Sequence, residues 1–366
     1  MEPVSLDAPL ALDPARAWRT YTGGSRIDAL HGQPDAPDEH FPEEWILSVV
    51  AARNAGREAF PSEGLSFLAG SDLSLAALIA SDPARALGER HLRAAGATPG
   101  VLLKMIDAAE RLTIQVHPDK AAAKLLFHSD YGKTECWSIL GGREIGGEKS
   151  CVYLGFREGV TRARWEQVFF EQNIPQMLGM LHRFAVKPGQ TILIEGGVPH
   201  AIGAGCFLIE VQEPTDYSIR TERTTPRGLS VPDMLCHQGL GFETMFECFN
   251  YEPVSRREAI FRWFLPQKPL ESVQGAQSCR LVGYCDTPCF SLFRHEIAAS
   301  ARFVPDGVFF GLFALSGSGV LCCEETALPF SAGGQFFVPA ASRPFVIKAN
   351  EPVTLFECRG PNPERG

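Results

Sequence analysis

A glutamine and a histidine two residues apart, Gln115 and His117, lie in the alternating run Leu112-Thr-Ile-Gln-Val-His117. Alternate residues of a β-strand lie on the same face, so an amide oxygen and an imidazole nitrogen would point toward one place. Glu135 and His200 lie in other strand-like segments near glycines. The four side chains offer the nitrogen and oxygen ligands that metals take in proteins. The pattern therefore predicts a metal site on a β-scaffold.

Each candidate ligand has a simpler reading when it is taken alone. A single core histidine is more often hydrogen-bonded to a backbone carbonyl than bound to a metal, and Gln115 could be a buried amide. The set of four favours a metal, and one Zn²⁺ per chain is the expected cofactor, with Fe²⁺, Co²⁺ or Mn²⁺ as alternatives. With one coordination position open, such an ion would act as a Lewis acid on a carbonyl or diol.

Three further residues could perform the chemistry around that metal. Lys133 lies two residues before Glu135 and so shares its face of the strand, where partial burial would lower the lysine pKa and suit it to proton transfer. Asp216 could act in acid–base chemistry, and Arg220 could hold an anion or polarise an oxygen. The simpler alternatives are a solvated lysine and a surface ion pair worth under about 1 kcal/mol.

The elements that carry these residues are mostly predicted strands. Before residue 110, a helical segment of about 71–110 is expected, ending in a third helix-like piece at Val101–Ala109. Beyond it lie the predicted strands Thr113–His117, Glu135–Leu140, Lys149–Phe156, Arg183–Val186, Thr191–Glu195 and Phe207–Gln212. The last third has short alternating strands with Gly and Pro turns, typical of a sandwich or jelly roll.

Composition excludes several classes of protein. The 366-residue chain is 45% hydrophobic and has a net charge of −9, which is unfavourable for binding nucleic acid or an anionic membrane. Its 11 cysteines include no C-x-x-C pair, which favours buried reduced thiols over a disulfide scaffold. No secretory signal or membrane span is predicted, so the expected location is the cytoplasm. A monomer or small homo-oligomer is expected.

Three motifs in order resemble the type I mannose-6-phosphate isomerases (phosphomannose isomerases). They are Leu112-Thr-Ile-Gln-Val-His-Pro-Asp-Lys120, Gly132-Lys-Thr-Glu-Cys-Trp137 and Val198-Pro-His-Ala-Ile-Gly-Ala-Gly205, followed by the D-x-x-x-R pair of Asp216 and Arg220. The resemblance is clear over roughly residues 100–225. It is general, of a cupin-like β kind, in the C-terminal third.

This resemblance implies a mainly β fold of tandem cupin domains with a helical insertion. Residues 1–250 would form the catalytic domain, including the helical segment of about 71–110, and residues 251–366 a cupin-like β domain without a metal site. Zinc would bind at Gln115, His117, Glu135 and His200.

The implied reaction interconverts mannose 6-phosphate and fructose 6-phosphate through a cis-enediol. Lys133, Asp216 and Arg220 match active-site positions of the family. Lys120 and Arg223 are further basic candidates for binding the phosphate of the sugar.

Other functions remain open from the sequence. After Arg220 the chain reads Thr-Glu-Arg-Thr, unlike the Tyr-Asp-Trp stretch of close relatives, so another sugar or sugar phosphate is an alternative substrate. An Fe²⁺ cupin oxygenase is disfavoured by the glutamine ligand and by Lys133. A non-catalytic sugar-binding cupin has less need of the acid–base groups.

Overall fold

A computed structural model describes residues 4–365, and in this range the chain is mainly β. Most of the predicted strands are present with shifts of a few residues at their ends, and no helix of the described range is both long and apolar enough to cross a membrane. The strands are β1 (Leu10–Leu12), β2 (Ala15–Ala17), β3 (Glu43–Ile46), β4 (Leu102–Asp107), β5 (Gln115–Val116), β6 (Glu135–Gly142), β7 (Cys151–Phe156), β8 (Leu181–Ala185), β9 (Thr191–Ile194), β10 (His200–Ile202), β11 (Cys206–Gln212), β12 (Ile219–Arg220), β13 (Phe264–Leu265), β14 (Lys268–Leu270), β15 (Gln274–Val282), β16 (Ser291–Phe303), β17 (Phe310–Cys323), β18 (Thr326–Phe330), β19 (Gln335–Val338) and β20 (Phe345–Arg359).

The helices are short, and several begin at side-chain caps. Ser74 accepts a hydrogen bond from the amide of Ala77, and Asp82 accepts one from Arg85 ahead of a helix with Pro83 in its first turn. The helices are α1 (Ser25–Leu30), α2 (Leu75–Ser81), α3 (Pro83–Leu87), α4 (Glu89–Ala95), α5 (Lys120–Phe127), α6 (Arg162–Phe170), α7 (Ile174–Gly179), α8 (Asp233–His237), α9 (Phe242–Met245) and α10 (Arg256–Trp263).

The predicted third helix at Val101–Ala109 is wrong, and with it the C-terminal end of the helical segment of about 71–110. The segment forms β4, which lies between β3 and β11 in a sheet and is buried along its whole length. A strand covered on both faces has a nearly continuous apolar sequence, and such a run does not distinguish a strand from a buried helix.

The strands form three sheets within the described range. A seven-stranded sheet has the order β13-β9-β6-β11-β4-β3-β2, and a five-stranded sheet has the order β12-β5-β10-β7-β8. The third sheet, with the order β1-β19-β17-β20-β16-β15-β14 and with β18 beside β17, contains the strands of the C-terminal third. The division at about residue 250 stays a prediction, and the pairings of β1 with β19 and of β13 with β9 cross it.

Separate apolar cores join these layers. One core lies between the seven-stranded and five-stranded sheets, where Trp137 and Ile192 meet Leu154 and Ile202. Another packs the outer face of the seven-stranded sheet against the C-terminal sheet, with Phe313 among its fully buried members. Helices α6 and α7 cover the outer face of the five-stranded sheet. The metal-site candidates therefore lie on a scaffold that is covered on both sides.

Truncation of a phenylalanine in the core between the sheets should destabilise the protein strongly. Phe313 has no exposed surface, so Phe313→Ala should lower the free energy of unfolding by about 3–5 kcal/mol, from lost burial and the cavity it leaves. Phe261, which is 89% exposed, is the matched control, and Phe261→Ala should change it by less than about 0.5 kcal/mol. Urea denaturation measures both variants, and equal effects would contradict this packing.

Strand β3 carries two adjacent glutamates on opposite faces. Glu43 faces the space between the seven-stranded and five-stranded sheets, where it contacts Arg19. Glu44 faces the C-terminal sheet, where it accepts a hydrogen bond from Gln335 and lies 2.8 Å from Nε2 of His31. The hydrogen bond to Glu44 raises the pKa of His31, although partial burial opposes the rise. The hydrogen bond between Gln335 and Glu44 therefore joins the N-terminal region to the C-terminal sheet.

The contact between His31 and Glu44 should make stability depend on pH. Because the folded state raises the pKa of His31 above 6.5, its stabilisation is fully present below that pH and is lost as pH rises through the folded pKa. The urea midpoint of the wild type should therefore exceed that of His31→Gln by more at about pH 6 than at about pH 9. A difference that is constant or grows with pH would rule out this linkage.

Candidate metal centre

Pairing in the five-stranded sheet places three predicted site residues in one row. His200 on β10 lies opposite Gln115 on β5, and Gln115 in turn lies opposite Arg220 on β12. Directly opposed residues of antiparallel strands point to the same face. His117 follows Gln115 by two residues and is buried on the same side. One sheet thus presents two imidazoles, an amide and a guanidinium toward the facing sheet.

The seven-stranded sheet supplies the carboxylate from the other side. Glu135 and Trp137 alternate on β6, so both face the space between the sheets. Glu210 on β11 lies opposite Trp137 and also opposite Lys104 on β4, which continues this row of polar side chains. Glu210 lies 3.3 Å from Lys104 and accepts a hydrogen bond from Nε1 of Trp137.

His117, Glu135 and His200 converge on one point. Their ligand atoms lie within 4.8 Å of one another, and all three side chains are buried. Nε2 of His117 lies 3.1 Å from Oε2 of Glu135, and Nε2 of His200 lies 3.3 Å from Oε1. The amide of Gln115 is 3.3 Å from Nε2 of His200, and turned by 180° it presents its carbonyl oxygen there.

The hydrogen bonds behind the histidines decide which nitrogens face inward. Nδ1 of His117 donates to the carbonyl of Tyr217, and Nδ1 of His200 donates to the carbonyl of Val198. Because a carbonyl only accepts, the proton of each neutral ring is on Nδ1, and each Nε2 presents a lone pair to the centre.

The carboxylate between these lone pairs lacks hydrogen bonds. Neither oxygen of Glu135 has a hydrogen-bond donor among the described residues, although both are buried. Nε2 of His117 and of His200 adds a lone pair beside it, so electron pairs converge with few protons to bind them. A divalent cation satisfies such a set directly, and these residues therefore fit a metal ion.

The charges around the centre keep it in the state that binds a cation. Burial and the neighbouring Lys133 ammonium lower the pKa of His117 to about 3, and burial also lowers the pKa of His200. Burial alone would raise the pKa of Glu135, but the adjacent His117 ring and the Lys133 ammonium lower it well below its usual range. Both imidazoles are therefore neutral and the carboxylate is ionised near neutral pH.

Lys133 is the nearest cationic side chain to the centre. Its Nζ lies 3.0 Å from Nε2 of His117 and 3.5 Å from Oε2 of Glu135. The side chain is almost fully buried, and this burial lowers the pKa of Lys133, although Glu135 opposes the shift. The structure thus brings Lys133 together with the three candidate ligands.

The contacts of Asp216 do not favour a role in proton transfer. Its carboxylate accepts hydrogen bonds from both terminal nitrogens of Arg19, at 3.3 and 3.2 Å, and from the backbone amide of Arg53 at 3.0 Å. Burial opposes ionisation, but Arg19 and Lys104 lower the pKa of Asp216 well below its usual range. A carboxyl group whose pKa lies far below neutral pH is a poor proton-transfer group at that pH. The contacts of Asp216 therefore favour a positioning role.

The three predicted basic residues lie at different places. Arg220 lines the cleft that leads to the centre, and it donates hydrogen bonds to the carbonyls of Ser218 and Leu235. Lys120 is half-exposed, 3.4 Å from Glu213, and Arg223 lies 3.5 Å from Asp233. Neither Lys120 nor Arg223 lines the cleft.

The sequence motifs did not predict the network of buried charges beside the centre. Arg19 bonds Glu43 at 3.0 Å as well as Asp216, and Lys104 lies between Glu43 and Glu210. Burial opposes ionisation, yet Arg19 and Lys104 lower the pKa of Glu43 to about 2. In the sequence, Lys104 and Glu210 are each the single charged residue of an apolar run, Val101–Ile106 and Phe207–Val211. A lone charge in such a run was the one sequence feature that could have indicated a buried ion pair.

Comparison with known proteins shows which family the chain resembles. The family model described as the mannose-6-phosphate isomerase cupin domain matches residues 283–353. GmuF of Bacillus subtilis (strain 168), named as a probable mannose-6-phosphate isomerase, is 25% identical over 351 residues, with 93% of this chain and 96% of GmuF covered. The chain is therefore similar to mannose-6-phosphate isomerases, both in the cupin-domain model and in GmuF.

Solved mannose 6-phosphate isomerase structures share the fold of this chain. The crystal structure of the mannose 6-phosphate isomerase from Bacillus subtilis superimposes with a TM-score of 0.74 at 22% identity, with 96% of this chain and 99% of that chain covered. A mannose 6-phosphate isomerase bound with zinc and yttrium gives a TM-score of 0.71 at 16% identity, covering 97% of this chain and 100% of the other. The predicted tandem cupin fold with a helical insertion is thereby confirmed.

Removal of one histidine should test the predicted ligand set. His117→Ala should lose bound zinc while the chain stays folded, because the centre keeps only one imidazole beside Glu135. The matched control is His91→Ala, another buried histidine, whose Nε2 contacts the carbonyl of Thr98 far along the chain from the ligands. Plasma mass spectrometry measures the zinc content of each variant, and circular dichroism shows whether it is folded. Unchanged zinc content in His117→Ala would refute the assignment.

Proposed function

We propose that this protein interconverts mannose 6-phosphate and fructose 6-phosphate with one bound zinc ion. The observation that carries the proposal is the convergence of His117, Glu135 and His200 beside a buried lysine, at a cleft lined by polar side chains. The family-model match and the names of the similar proteins support this substrate pair. Gln115 completes the proposed ligand set.

The reaction needs a proton to move between C2 and C1 of the open-chain sugar through a cis-enediol. We assign that transfer to Lys133, because its Nζ is the ionisable group nearest the centre that is not itself a proposed ligand. When bound, a zinc ion would supply Lewis-acid polarisation of the sugar oxygens. The burial of Lys133 keeps water from competing for the proton.

Arg220 stabilises charge at the reacting end of the sugar in this proposal. It lies opposite Gln115 across the sheet, so its guanidinium projects into the cleft next to a ligand. Two backbone carbonyls hold it there, and no carboxylate of the described residues pairs with it within 4.0 Å. A fixed guanidinium can donate to the oxygens of an enediolate as they gain charge.

Asp216 positions the walls of the cleft instead of exchanging protons. It joins Arg19, in the N-terminal segment, to the backbone of Arg53 in the segment that follows β3. Loss of this carboxylate would leave Arg19 with Glu43 as its remaining acidic partner. The basic residues Lys120 and Arg223 remain candidates for the phosphate from the sequence pattern, although the cleft lining does not include them.

A coupled assay of fructose 6-phosphate formation from mannose 6-phosphate tests the proposal directly. Turnover should disappear with a chelator and return with zinc, because the buried electron pairs of the centre need a cation. An absence of turnover by the zinc-loaded protein would overturn the substrate assignment. Chelator-resistant turnover would overturn the role of the metal.

Replacement of Lys133 should separate metal binding from chemistry. Lys133→Met should keep zinc but lose kcat by at least about a hundredfold, the size expected of a proton-transfer group. Lys124→Met is the matched control, since Lys124 is exposed on α5 and pairs with Asp130, and its kcat should match that of the wild type. A kcat near that of the wild type in Lys133→Met would eliminate this residue as the proton carrier.

A further inference from the structure

The cleft is lined by more cationic side chains than the proposed chemistry uses. Its lining also includes three carboxylates, Glu43, Glu210 and Asp216. The cationic residues of the lining are Arg19, Arg53, Lys104, Arg111, Lys133 and Arg220.

Most of these cations already have an acidic partner. Arg19 and Lys104 are paired with the three cleft carboxylates. Arg111 forms a bidentate pair with Glu222, at 2.6 and 2.7 Å, and Lys133 lies beside Glu135. Within residues 4–365, the cleft cations without a carboxylate inside 4.0 Å are Arg53 and Arg220.

These two arginines lie at different depths. Arg220 is opposite Gln115, next to the candidate metal ligands, and its guanidinium is held by two backbone carbonyls. Arg53 is exposed, on the segment that follows β3, and its guanidinium has no hydrogen bond to another described residue. The cleft therefore has one unpaired guanidinium at its reacting end and one at its solvent-facing end.

The backbone at Arg53 is fixed although its side chain is exposed. The amide of Arg53 donates to Oδ2 of Asp216 at 3.0 Å, and that carboxylate is itself held by Arg19. The guanidinium carbon of Arg53 lies 5.6 Å from the centroid of the Tyr217 ring, which guides the side chain over the loop that carries Asp216. Its donors are thus held near the cleft and are free to bind a ligand.

We propose that Arg53 binds the phosphoryl group of the sugar phosphate and selects for it. This inference rests on the proposed function, in which the carbons that react, C1 and C2, lie at the opposite end of the sugar from the phosphate on C6. A cation for the phosphate should therefore lie toward the open side of the cleft, and Arg53 is the exposed one of the two unpaired arginines. A guanidinium binds phosphate oxygens in a bidentate manner, and the net charge of −9 makes a local cation necessary.

Steady-state kinetics of the zinc-loaded enzyme test this assignment. Arg53→Ala should raise the KM for mannose 6-phosphate by at least about tenfold, because a charge-assisted contact is lost, while kcat stays within about twofold. Arg53→Lys should recover part of the loss, since it restores the charge without the bidentate geometry. Arg257→Ala is the matched control, because Arg257 is exposed on α10 and does not line the cleft, and its KM should match the wild type.

Binding of inorganic phosphate, measured by calorimetry, separates this inference from the proposed reaction. The Kd for phosphate should rise by at least about tenfold in Arg53→Ala relative to the wild type, whether or not the protein turns over mannose 6-phosphate. A higher Kd in Arg53→Ala, together with a wild type that does not turn over mannose 6-phosphate, would keep the phosphoryl site and overturn the proposed reaction. An unchanged Kd and KM in Arg53→Ala, or a rise in Arg223→Ala alone, would overturn the assignment to Arg53.

Discussion

The buried carboxylate of Glu135 is the constraint on which the site depends. Removal of a carboxylate from water costs several kcal/mol unless a charge or hydrogen bonds replace the water. Lys133 lies 3.5 Å from one oxygen of Glu135, but neither oxygen has a hydrogen-bond donor among the described residues. The lone pairs of His117 and His200 face the same point and add to the need for a cation. Strand pairing on two facing sheets enforces this arrangement, so the fold itself holds the site together.

The residues at the centre were readable from the sequence because they follow the period of a strand. Gln115 and His117 are two apart, as are Lys133 and Glu135, which predicts a shared face for each pair. His117 and Lys133 lie just outside β5 and β6, yet both reach the same centre. His200 was a candidate from its residue type and its glycine-rich segment, but nothing in that segment fixes its pairing opposite Gln115. The mainly β fold followed from the same alternation and from the glycine and proline turns of the C-terminal third.

The charge network and the helical segment could not be read in the same way. Strand β4 is covered on both faces, so its apolar run is equally consistent with a helix. The helix prediction therefore did not indicate that Lys104 faces inward. Arg19 and Asp216 are far apart in sequence and meet only through the folded chain. Ion pairs of this kind depend on tertiary position. Because the sequence does not show that Arg19 pairs with Asp216, Asp216 could be interpreted there as an acid–base group.

X-ray absorption at the zinc edge of the protein loaded with one equivalent of zinc tests the metal centre most directly. We expect a first shell of nitrogen and oxygen only, at about 2.0–2.1 Å, with the outer scattering of two imidazoles from His117 and His200. The 11 cysteines of the chain make this measurement decisive, because they are the competing ligands. A sulfur shell at about 2.3 Å, or the absence of imidazole scattering, would contradict a centre built on Glu135.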